Sequence, residues 1–344
     1  MERRVGPTRG FGTAAATAKT RRSRYPSRRF RLPAAPMEVY TGSEQLPAGP
    51  GRAERAVAIG NFDGVHLGHR QVLSRLAATA AAHELAPWVY TFDPPPTLVL
   101  APERHQPRLL TLGRKLELLA SLGVRGVVVE PFTRAFAAQS AGAFARDVLG
   151  ERLGAGAVVV GWDFRFGSGR GGDTDALRAA LPGVNVEQVP PLLAEGAPVS
   201  SSRIRRLIAA GNVEEARALL GRPHRLSGEV VHGDARGRTI GFPTANLVSE
   251  VECLPLAGVY AVSVTRRLPG APALKGVLNI GVRPTFQGTE LRIEAHLLDW
   301  AGDLYGEQLD VDLHQHIRGE QRFPSIDALV AQIRLDVGRA RDLL

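Results

Sequence analysis

Short apolar runs alternate with amphipathic stretches between residues 56 and 191. The runs AVAIG, PWVYTF, VRGVVVEPF and AGAVVVGWDF are almost continuously apolar, which is typical of strands buried on both faces of a parallel sheet. The stretches between them have apolar residues at helical spacing and predict helices near residues 67–83, 113–122, 141–153 and 173–181. The pattern therefore predicts an α/β layer fold with right-handed crossovers.

The pattern changes near residue 222. Before it, SRIRRLIAAG and VEEARALLG predict two short helices, each ending at a glycine suited to a C-terminal cap. After it, strand-like runs are separated by Gly, Pro and Asp, which predicts a compact antiparallel β-barrel. We expect an extension at 1–36 and domains at 37–222 and 223–344. The last stretch predicts a helix covering the barrel, with an apolar stripe at Ile326, Leu329, Val330, Ile333 and Val337.

Composition fits a globular, cytoplasmic protein, with 44% hydrophobic and 22% charged residues. No apolar run approaches the roughly 18 residues that a membrane span needs, so no membrane partner is expected. Cys253 is the only cysteine, and it therefore fits a reducing compartment in which disulfides are rare. Because its neighbours are apolar, we interpret Cys253 as a core residue.

The net charge of +9 is confined to one end of the chain. Residues 1–36 contain ten basic residues and one acid, whereas the remainder contains 33 basic and 33 acidic residues. An Arg-rich, acid-poor segment is compatible with an organellar transit peptide, a nucleic-acid-binding arm or a misplaced start. We favour a misplaced start with Met37 as the true one, because Met37 is the only other methionine. No nucleic-acid partner is therefore expected.

The stretch GNFDGVHLGH joins a predicted buried strand to a predicted helix. At such a junction, free backbone N–H groups and the positive end of the helix favour an anion. Gly60, Gly64 and Gly68 permit a close approach of ligand to backbone, and His66 and His69 can donate to phosphate oxygens. A zinc site would need further ligands nearby. The stretch therefore predicts a phosphate-binding loop.

The string from His66 to His69 resembles the His-x-Gly-His signature of the nucleotidyltransferase superfamily, and the longer string resembles its FAD synthetase (FMN adenylyltransferase) module. The segments TFDPPP, GWDFRFGSGRGGD and VSSSRIR are similar to three further motifs of that module. The resemblance implies a Rossmann-like nucleotidyltransferase domain with catalytic roles for both histidines. It implies nucleotide contacts at Phe62, Asp63, Ser200, Ser201, Ser202, Arg203 and Arg206, and flavin contacts at Asp163 and Phe164.

Two residues depart from the family pattern. Pro95 stands where the module usually has a histidine, which removes or moves one polar contact of that loop. Ser202 replaces the usual threonine and keeps its hydroxyl, so we expect a mild effect.

A second glycine-rich segment, GRTIGFPTANL, lies in the predicted barrel. In an extended segment, the side chains of Thr244 and Asn246 would point to one side, and both supply hard oxygen donors suited to Mg²⁺ beside phosphates. We predict a Mg²⁺ site at these two residues, with nucleotide contacts at Gly237 and Gly241. A glycine-rich loop is otherwise often only a turn.

The PTAN segment resembles the riboflavin kinase signature, and the similarity continues through GVYA, GVLNIGVRPTF, EAHLLDWAGDLYG and IRGEQRFPS. The resemblance places Glu294 at the catalytic-base position and Arg318 and Phe323 in the flavin-contacting segment. A carboxylate there can accept the ribityl 5′-hydroxyl proton. A glutamate in an alternating strand is otherwise more often a solvent-facing residue.

Both motif sets in this order resemble the bifunctional bacterial riboflavin kinase/FAD synthetase family over about residues 38–344. The resemblance implies that ATP phosphorylates riboflavin to FMN and then adenylylates FMN to FAD, with Mg²⁺ as the cofactor. One alternative is that Pro95 leaves only the kinase activity. An alternative of another class is a nucleic-acid-binding or flavin-regulatory protein that uses the basic extension. The oligomeric state stays open.

Overall fold

A computed structural model describes residues 36–47, 54–233, 236–285 and 288–344, so the expected extension lies outside the described residues apart from Pro36. The first part is a six-stranded, fully parallel sheet with the order β1-β4-β3-β2-β5-β6. Because the chain moves outward from β2 in both directions, the switch point lies between β2 and β5, where a crevice opens at the carboxyl ends. The strands are β1 (Glu38–Thr41), β2 (Arg55–Ile59), β3 (Ala86–Phe92), β4 (Gly126–Glu130), β5 (Ala155–Gly161) and β6 (Asn185–Val189).

Helices cover both faces of this sheet, as the continuous apolar runs predict. Ala56 and Ala58 of β2 belong to the core on one face, and Val57 and Ile59 to the core on the other. The helices of this part are α1 (Leu67–Ala82), α2 (Pro96–Leu100), α3 (Leu112–Ser121), α4 (Arg134–Ala137), α5 (Ala141–Ala143), α6 (Thr174–Ala180), α7 (Ser201–Ala209) and α8 (Val213–Leu220).

The helix predicted at 141–153 differs in type from the one observed. After the short α5, the chain continues as a π-helix over Phe144–Arg152. The amide of Leu153 bonds to the carbonyl of Val148 at 2.9 Å, which is the i→i+5 pattern. Apolar residues four and five apart fit either helix type, so the sequence pattern did not distinguish them.

The second part is a closed, fully antiparallel barrel with the order β10-β13-β12-β11-β14-β9. The segment that the sequence predicts only as extended, around the PTAN residues, supplies one of these strands. The elements are β9 (His224–Val231), α9 (Arg236–Thr239), β10 (Ala245–Ser249), β11 (Gly258–Arg266), β12 (Ala273–Thr285), β13 (Gly288–Leu297) and β14 (Gln308–Gly319). The predicted fold class is confirmed in both parts.

The final helix, α10 (Ile326–Leu343), packs on β11, β12 and β14. Its predicted apolar stripe is wrong at its start, because Ile326 is 66% exposed, whereas the other four stripe residues are half-buried. The buried residues of the helix are Asp336 and Ala340. Among the helices that the structure describes, none has both the length and the apolar character needed to span a bilayer.

Candidate active sites

A cavity of about 1190 Å³ opens at the switch point of the parallel sheet. It is lined by residues that follow β2, β3, β5 and β6 and by the start of α7. This is the place where open α/β sheets bind ligands. Most residues predicted for nucleotide and flavin binding in this part line the cavity, namely Gly60, Phe62, Asp63, His66, Gly68, His69, Asp163, Phe164, Ser200, Ser201 and Ser202.

The loop between β2 and α1 has an unusual backbone. Phe62, Gly64 and Val65 have φ values of 49°, 85° and 38°, all in the left-handed region. A β-branched residue such as Val65 rarely adopts this conformation. Gly64 does not line the cavity, and a Cβ there would lie 2.8 Å from Leu109 Cδ1. Gly64 therefore forms a tight turn at this position, and its predicted contact with a nucleotide stays a prediction.

The two predicted histidines form one stacked unit. His66 is the N-cap of α1, and its Nδ1 accepts a hydrogen bond of 3.2 Å from the amide of His69. The ring centroids lie 3.6 Å apart with an interplanar angle of 15°. The accepting Nδ1 leaves the proton of a neutral His66 on Nε2.

Both histidines are neutral at physiological pH. Burial, followed by the charges of Arg222 and Arg205, lowers the pKa of His66 to about 4. Burial and the neighbouring His66 hold the pKa of His69 well below its usual value. Each ring can therefore donate one hydrogen bond to a phosphate oxygen without carrying a net charge.

Asp63 connects the loop to two distant segments. Its carboxylate accepts hydrogen bonds from the amide of Leu109 at 3.1 Å and from Arg205 at 2.5 Å. Its backbone carbonyl accepts a hydrogen bond of 2.8 Å from the hydroxyl of Ser201. Asp63 thus holds the loop against the start of α7, and its carboxylate is already occupied by protein donors.

The start of α7 forms a second wall of the cavity. Ser200 caps the helix by accepting a hydrogen bond from the amide of Arg203, and the exposed Ser202 lines the cavity. The helix end directs free N–H groups and positive potential toward this wall. The 200–202 segment and the histidine loop therefore face the same space.

The arginines of α7 are distributed differently from the prediction. The Arg203 side chain bonds to Ala194 O at 2.8 Å and to Glu195, which ties it to the hairpin of β7 (Leu193–Ala194) and β8 (Ala197–Pro198). Arg206 is exposed, and neither residue lines the cavity. Arg205 lines it instead. The VSSSRIR segment ends at Arg205, so the motif itself contained the signal.

Lys115 is a cavity residue that the sequence reasoning missed. It lies on α3, is only 8% exposed, and its Nζ is 3.5 Å from Thr91 Oγ1. Burial lowers its pKa, while Asp63 and Asp93 act in the opposite direction. A lysine in an amphipathic helix is usually on the solvent face, so its sequence position gave no signal.

The opposite wall of the cavity is aromatic. Phe164 stacks on Phe166 with centroids 5.4 Å apart, and Phe92 packs edge-on against Phe132 at 5.5 Å. Trp162 follows β5, lines the cavity and is 50% exposed. Such a wall can receive a planar ring system. The residues of this wall are Phe92, Phe132, Phe136, Phe144, Trp162, Phe164 and Phe166.

Pro95 also lines the cavity. It is the N-cap residue of α2 and provides no side-chain cap hydrogen bond there. The proline that replaces the family's usual histidine is therefore at the surface of the cavity.

Part of the cavity wall is held from the second half of the chain. Glu252 accepts hydrogen bonds from the side chain of Arg108 at 2.6 Å and from its amide at 2.8 Å. It also lies 3.1 Å from His105 Nε2. Arg108 and His105 both line the cavity. The connection between β10 and β11 of the barrel therefore supports this wall.

Two of the predicted kinase residues, Asn246 and Glu294, lie side by side on the outer face of the barrel. Asn246 of β10 is directly opposite Glu294 of β13, so both side chains share one face. Their neighbours Ala245 and Ala295 are buried inside the barrel. Asn279 of β12 is the other cross-strand neighbour of Glu294. The strand register thus supports the predicted pairing of base and Mg²⁺ ligands.

Two glycines lie so close to the predicted Mg²⁺ ligands that a side chain at either position would contact them. A Cβ on Gly233 would lie 2.2 Å from Asn246 Nδ2, and one on Gly237 would lie 3.3 Å from Thr244 Oγ1. Gly241 has a φ of 87°, and the amide of Phe242 closes the turn by bonding to Gly237 O at 2.8 Å. The segment therefore surrounds Thr244 and Asn246 with backbone at close range.

The donor set suits a hard cation. A hydroxyl and an amide oxygen, from Thr244 and Asn246, are ligand types that Mg²⁺ accepts beside phosphates. No group of three or more His, Cys, Asp or Glu residues suited to a metal occurs among the described residues. A Mg²⁺ ion here would consequently depend on substrate phosphates and water for its other ligands.

Arg318 and Phe323 lie next to each other at the end of β14. The Arg318 guanidinium is 5.7 Å from the centroid of the Phe323 ring and bonds to the buried Asp336 at 2.8 Å. Gln332 also donates to Asp336 at 2.9 Å. Arg318 is therefore anchored to α10 through Asp336, and Phe323 lies close to its guanidinium.

Comparison with known families matches both parts of the chain. The FAD synthetase family model matches residues 50–203, and the riboflavin kinase model matches residues 220–344. These matches cover most of the chain.

Relatives with the name bifunctional riboflavin kinase/FMN adenylyltransferase match nearly end to end. The Escherichia coli K12 protein is 42% identical over 308 residues, which is 89% of this chain and 97% of the relative. The Pseudomonas fluorescens protein is 42% identical over 288 residues, 83% of this chain and 91% of the relative. A crystal structure described as a macrolide-efflux protein from Streptococcus pneumoniae has a TM-score of 0.81 at 33% identity, covering 89% of this chain and 99% of that chain.

A histidine-containing loop at the switch point of a parallel sheet, a closed barrel that contains the PTAN segment and the two family matches together define a nucleotide-dependent transferase with two activities. The chain belongs to the bifunctional riboflavin kinase/FMN adenylyltransferase family. The family and the enzyme class predicted from the sequence are thereby confirmed.

Proposed function

We propose that the chain makes FMN and FAD at the two sites described above. Residues 37–222 form the FMN adenylyltransferase domain and residues 223–344 the riboflavin kinase domain. The family matches at residues 50–203 and 220–344 support this division. The substrates are riboflavin, FMN and ATP, and no nucleic acid takes part.

In the kinase reaction, the riboflavin 5′-hydroxyl oxygen attacks the γ-phosphorus of ATP. The bond from that phosphorus to the β–γ bridging oxygen breaks, and ADP leaves. Glu294 accepts the hydroxyl proton, which is the role of a general base. Thr244 and Asn246 would hold Mg²⁺, which neutralises phosphate charge when bound. The direct register between Asn246 and Glu294 supports this assignment.

In the adenylyl transfer, a phosphate oxygen of FMN attacks the α-phosphorus of a second ATP. The bond from the α-phosphorus to the α–β bridging oxygen breaks, and pyrophosphate leaves. His66 and His69 donate to phosphate oxygens, and the start of α7 adds N–H groups and the hydroxyls of Ser200 and Ser202. The aromatic wall receives the flavin ring, with Asp163 and Phe164 at its edge.

One observation carries the adenylyl-transfer proposal. The histidine loop and the 200–202 segment, far apart in sequence, line one cavity and are joined by the bond from Ser201 to Asp63. Two phosphate-binding segments at one switch point form a site for a nucleotide that loses pyrophosphate.

The test is a product assay with the full chain. Incubation with riboflavin, ATP and Mg²⁺, followed by chromatographic separation of flavins, is expected to yield FMN first and FAD later. A parallel reaction that starts from FMN is expected to yield FAD with an equal amount of pyrophosphate. FMN accumulation without FAD at long times would contradict the second activity and implicate Pro95.

A further inference from the structure

Six successive carbonyl groups in the loop between β2 and α1, from Asn61 to His66, are engaged in hydrogen bonds. Each of these six oxygens accepts a hydrogen bond from a protein donor. The carbonyl of Asn61 accepts from Thr91 (3.2 Å), that of Phe62 from Val65 (3.1 Å) and that of Asp63 from Ser201 (2.8 Å). The carbonyls of Gly64 and Val65 accept from Arg222 (2.5 and 3.2 Å), and that of His66 accepts from Arg70 (2.9 Å). In a trans peptide the C=O and N–H groups point in opposite directions. Fixing the carbonyls therefore also fixes the direction of the N–H groups that receive an anion.

This loop needs support from outside itself. The left-handed backbone at Phe62 and Val65 is a sparsely populated conformation, which persists only when surrounding contacts impose it. Four of the six carbonyls have neutral donors. The remaining two, at Gly64 and Val65, share the guanidinium of Arg222.

Arg222 lies at the junction between the two parts of the chain. It follows Gly221, the left-handed C-cap of α8, and precedes β9 by two residues. A Cβ on Gly221 would lie 2.7 Å from Leu67 Cδ2, so the junction packs tightly on the first residue of α1. The guanidinium also donates to Leu220 O at 3.3 Å, which ties the loop to the end of α8.

We propose that Arg222 is a positioning residue for adenylyl transfer, which fixes the phosphate-binding loop through the carbonyls of Gly64 and Val65. The proposal rests on the adenylyltransferase assignment of the cavity. It implies that the segment leading into the barrel sets the geometry of the site in the sheet. The positive charge of Arg222 also lowers the pKa of His66 and so helps to keep that histidine neutral.

The experiment compares R222M, R222K and wild type as full chains in two separate assays. Pyrophosphate release from ATP and FMN reports adenylyl transfer, and ADP formation with riboflavin reports the kinase. We expect R222M to lower kcat/KM for ATP in adenylyl transfer about 10- to 100-fold, with a raised KM for ATP, because a displaced loop binds phosphates poorly. We expect its riboflavin phosphorylation to be unchanged. R222K keeps a cation that can reach one carbonyl and should recover most of the loss.

Arg217 provides the matched control. It is an exposed arginine on the same helix, so R217M removes a guanidinium without touching the loop and should behave as wild type. A loss of folded protein would lower the apparent kcat of both reactions and leave KM for ATP unchanged. If R222M does not fold, R222Q, which retains one donor, is measured in the same way.

The outcomes separate the two proposals. A wild-type protein that makes no FAD from FMN contradicts the adenylyltransferase assignment itself. An active wild type with an unchanged KM for ATP in the folded Arg222 variant overturns the positioning role alone. A raised KM for ATP in adenylyl transfer, with the kinase intact and recovery by R222K, supports it.

Discussion

The phosphate-binding loop in the sheet and the outer face of the barrel are both proposed to bind ATP, yet they are built differently. The loop presents backbone groups in a rare conformation, held by donors as distant in sequence as Ser201 and Arg222. The barrel face presents side chains whose positions follow from strand register, as for Asn246 opposite Glu294. A single side-chain change should therefore affect the barrel site directly, whereas the loop is most sensitive to loss of its external supports.

The largest expected effect comes from E294Q. Glutamine keeps the size of the side chain but cannot accept the hydroxyl proton, so kcat of riboflavin phosphorylation should fall about 10²- to 10⁴-fold. Adenylylation of FMN should be unchanged, because Glu294 lies on the barrel. ADP and pyrophosphate release measure the two reactions.

The control for E294Q is E229Q, which changes an exposed strand carboxylate on β9. Equal losses of kinase kcat in the two variants would show that Glu294 has no role beyond that of an ordinary surface carboxylate. A loss of kinase kcat in E294Q alone would support Glu294 as the base and contradict its interpretation as a solvent-facing residue without a catalytic role.

A smaller effect is expected from G233A. The added methyl would lie 2.2 Å from Asn246 Nδ2, and that flexible amide must move away from its place opposite Glu294. We expect kcat/KM for riboflavin phosphorylation to fall about 10- to 100-fold while the unfolding midpoint changes little. G338A adds a methyl that meets nothing within 4 Å and should leave the rate unchanged. An unaltered kinase in G233A would remove Asn246 from the proposed Mg²⁺ site.

The smallest expected effect concerns a feature that the two parts share, a buried neutral histidine in each. Burial lowers the pKa of both His66 and His224 to about 4. The unfolded histidine takes up a proton below pH 6.5, whereas the folded one does so only near pH 4, so stability is full above pH 6.5 and is lost as the pH falls toward 4. Each histidine should therefore lower the free energy of unfolding by about 2 kcal/mol between pH 7.5 and pH 5.

Urea denaturation at pH 7.5 and pH 5 measures this loss. H224Q keeps a donor for Cys253 O, which His224 contacts at 2.8 Å, and should lose about 2 kcal/mol less than wild type between the two pH values. H66Q makes the same comparison in the sheet. Identical losses in wild type and both variants would contradict the depressed pKa values.

The fold could be predicted from the sequence because each pattern depends on neighbouring residues. Continuous apolar runs predict two-sided burial, and β2 places successive residues in opposite cores. The loop with His66 and His69 could be singled out from the sequence because its glycines and histidines lie within ten consecutive residues. The π-helix at 144–152 could not, since its hydrogen-bond pattern leaves the same apolar spacing.

The site residues that were missed depend on distant partners. Arg205 reaches Asp63, whereas Arg203, two positions earlier, reaches a hairpin, and this difference follows from the orientation of α7. Lys115 is buried only because its helix packs over the cavity. Asp336 is buried on α10 and pairs there with Arg318 of β14 at 2.8 Å. These partners lie far away in the sequence, so no local pattern shows them, although Arg205 itself belongs to the VSSSRIR segment.

The carbonyl bonds of the phosphate-binding loop have a consequence for synthesis on the ribosome. The bond from Thr91 can form early, but the bonds from Ser201 and Arg222 require residues that are made much later. A nascent chain that ends before residue 222 therefore has the sheet but lacks the donors for Gly64 and Val65. The proposed adenylyl-transfer site can be completed only once translation has reached Arg222, the last residue of the first domain, so its maturation must wait until that domain has been made in full.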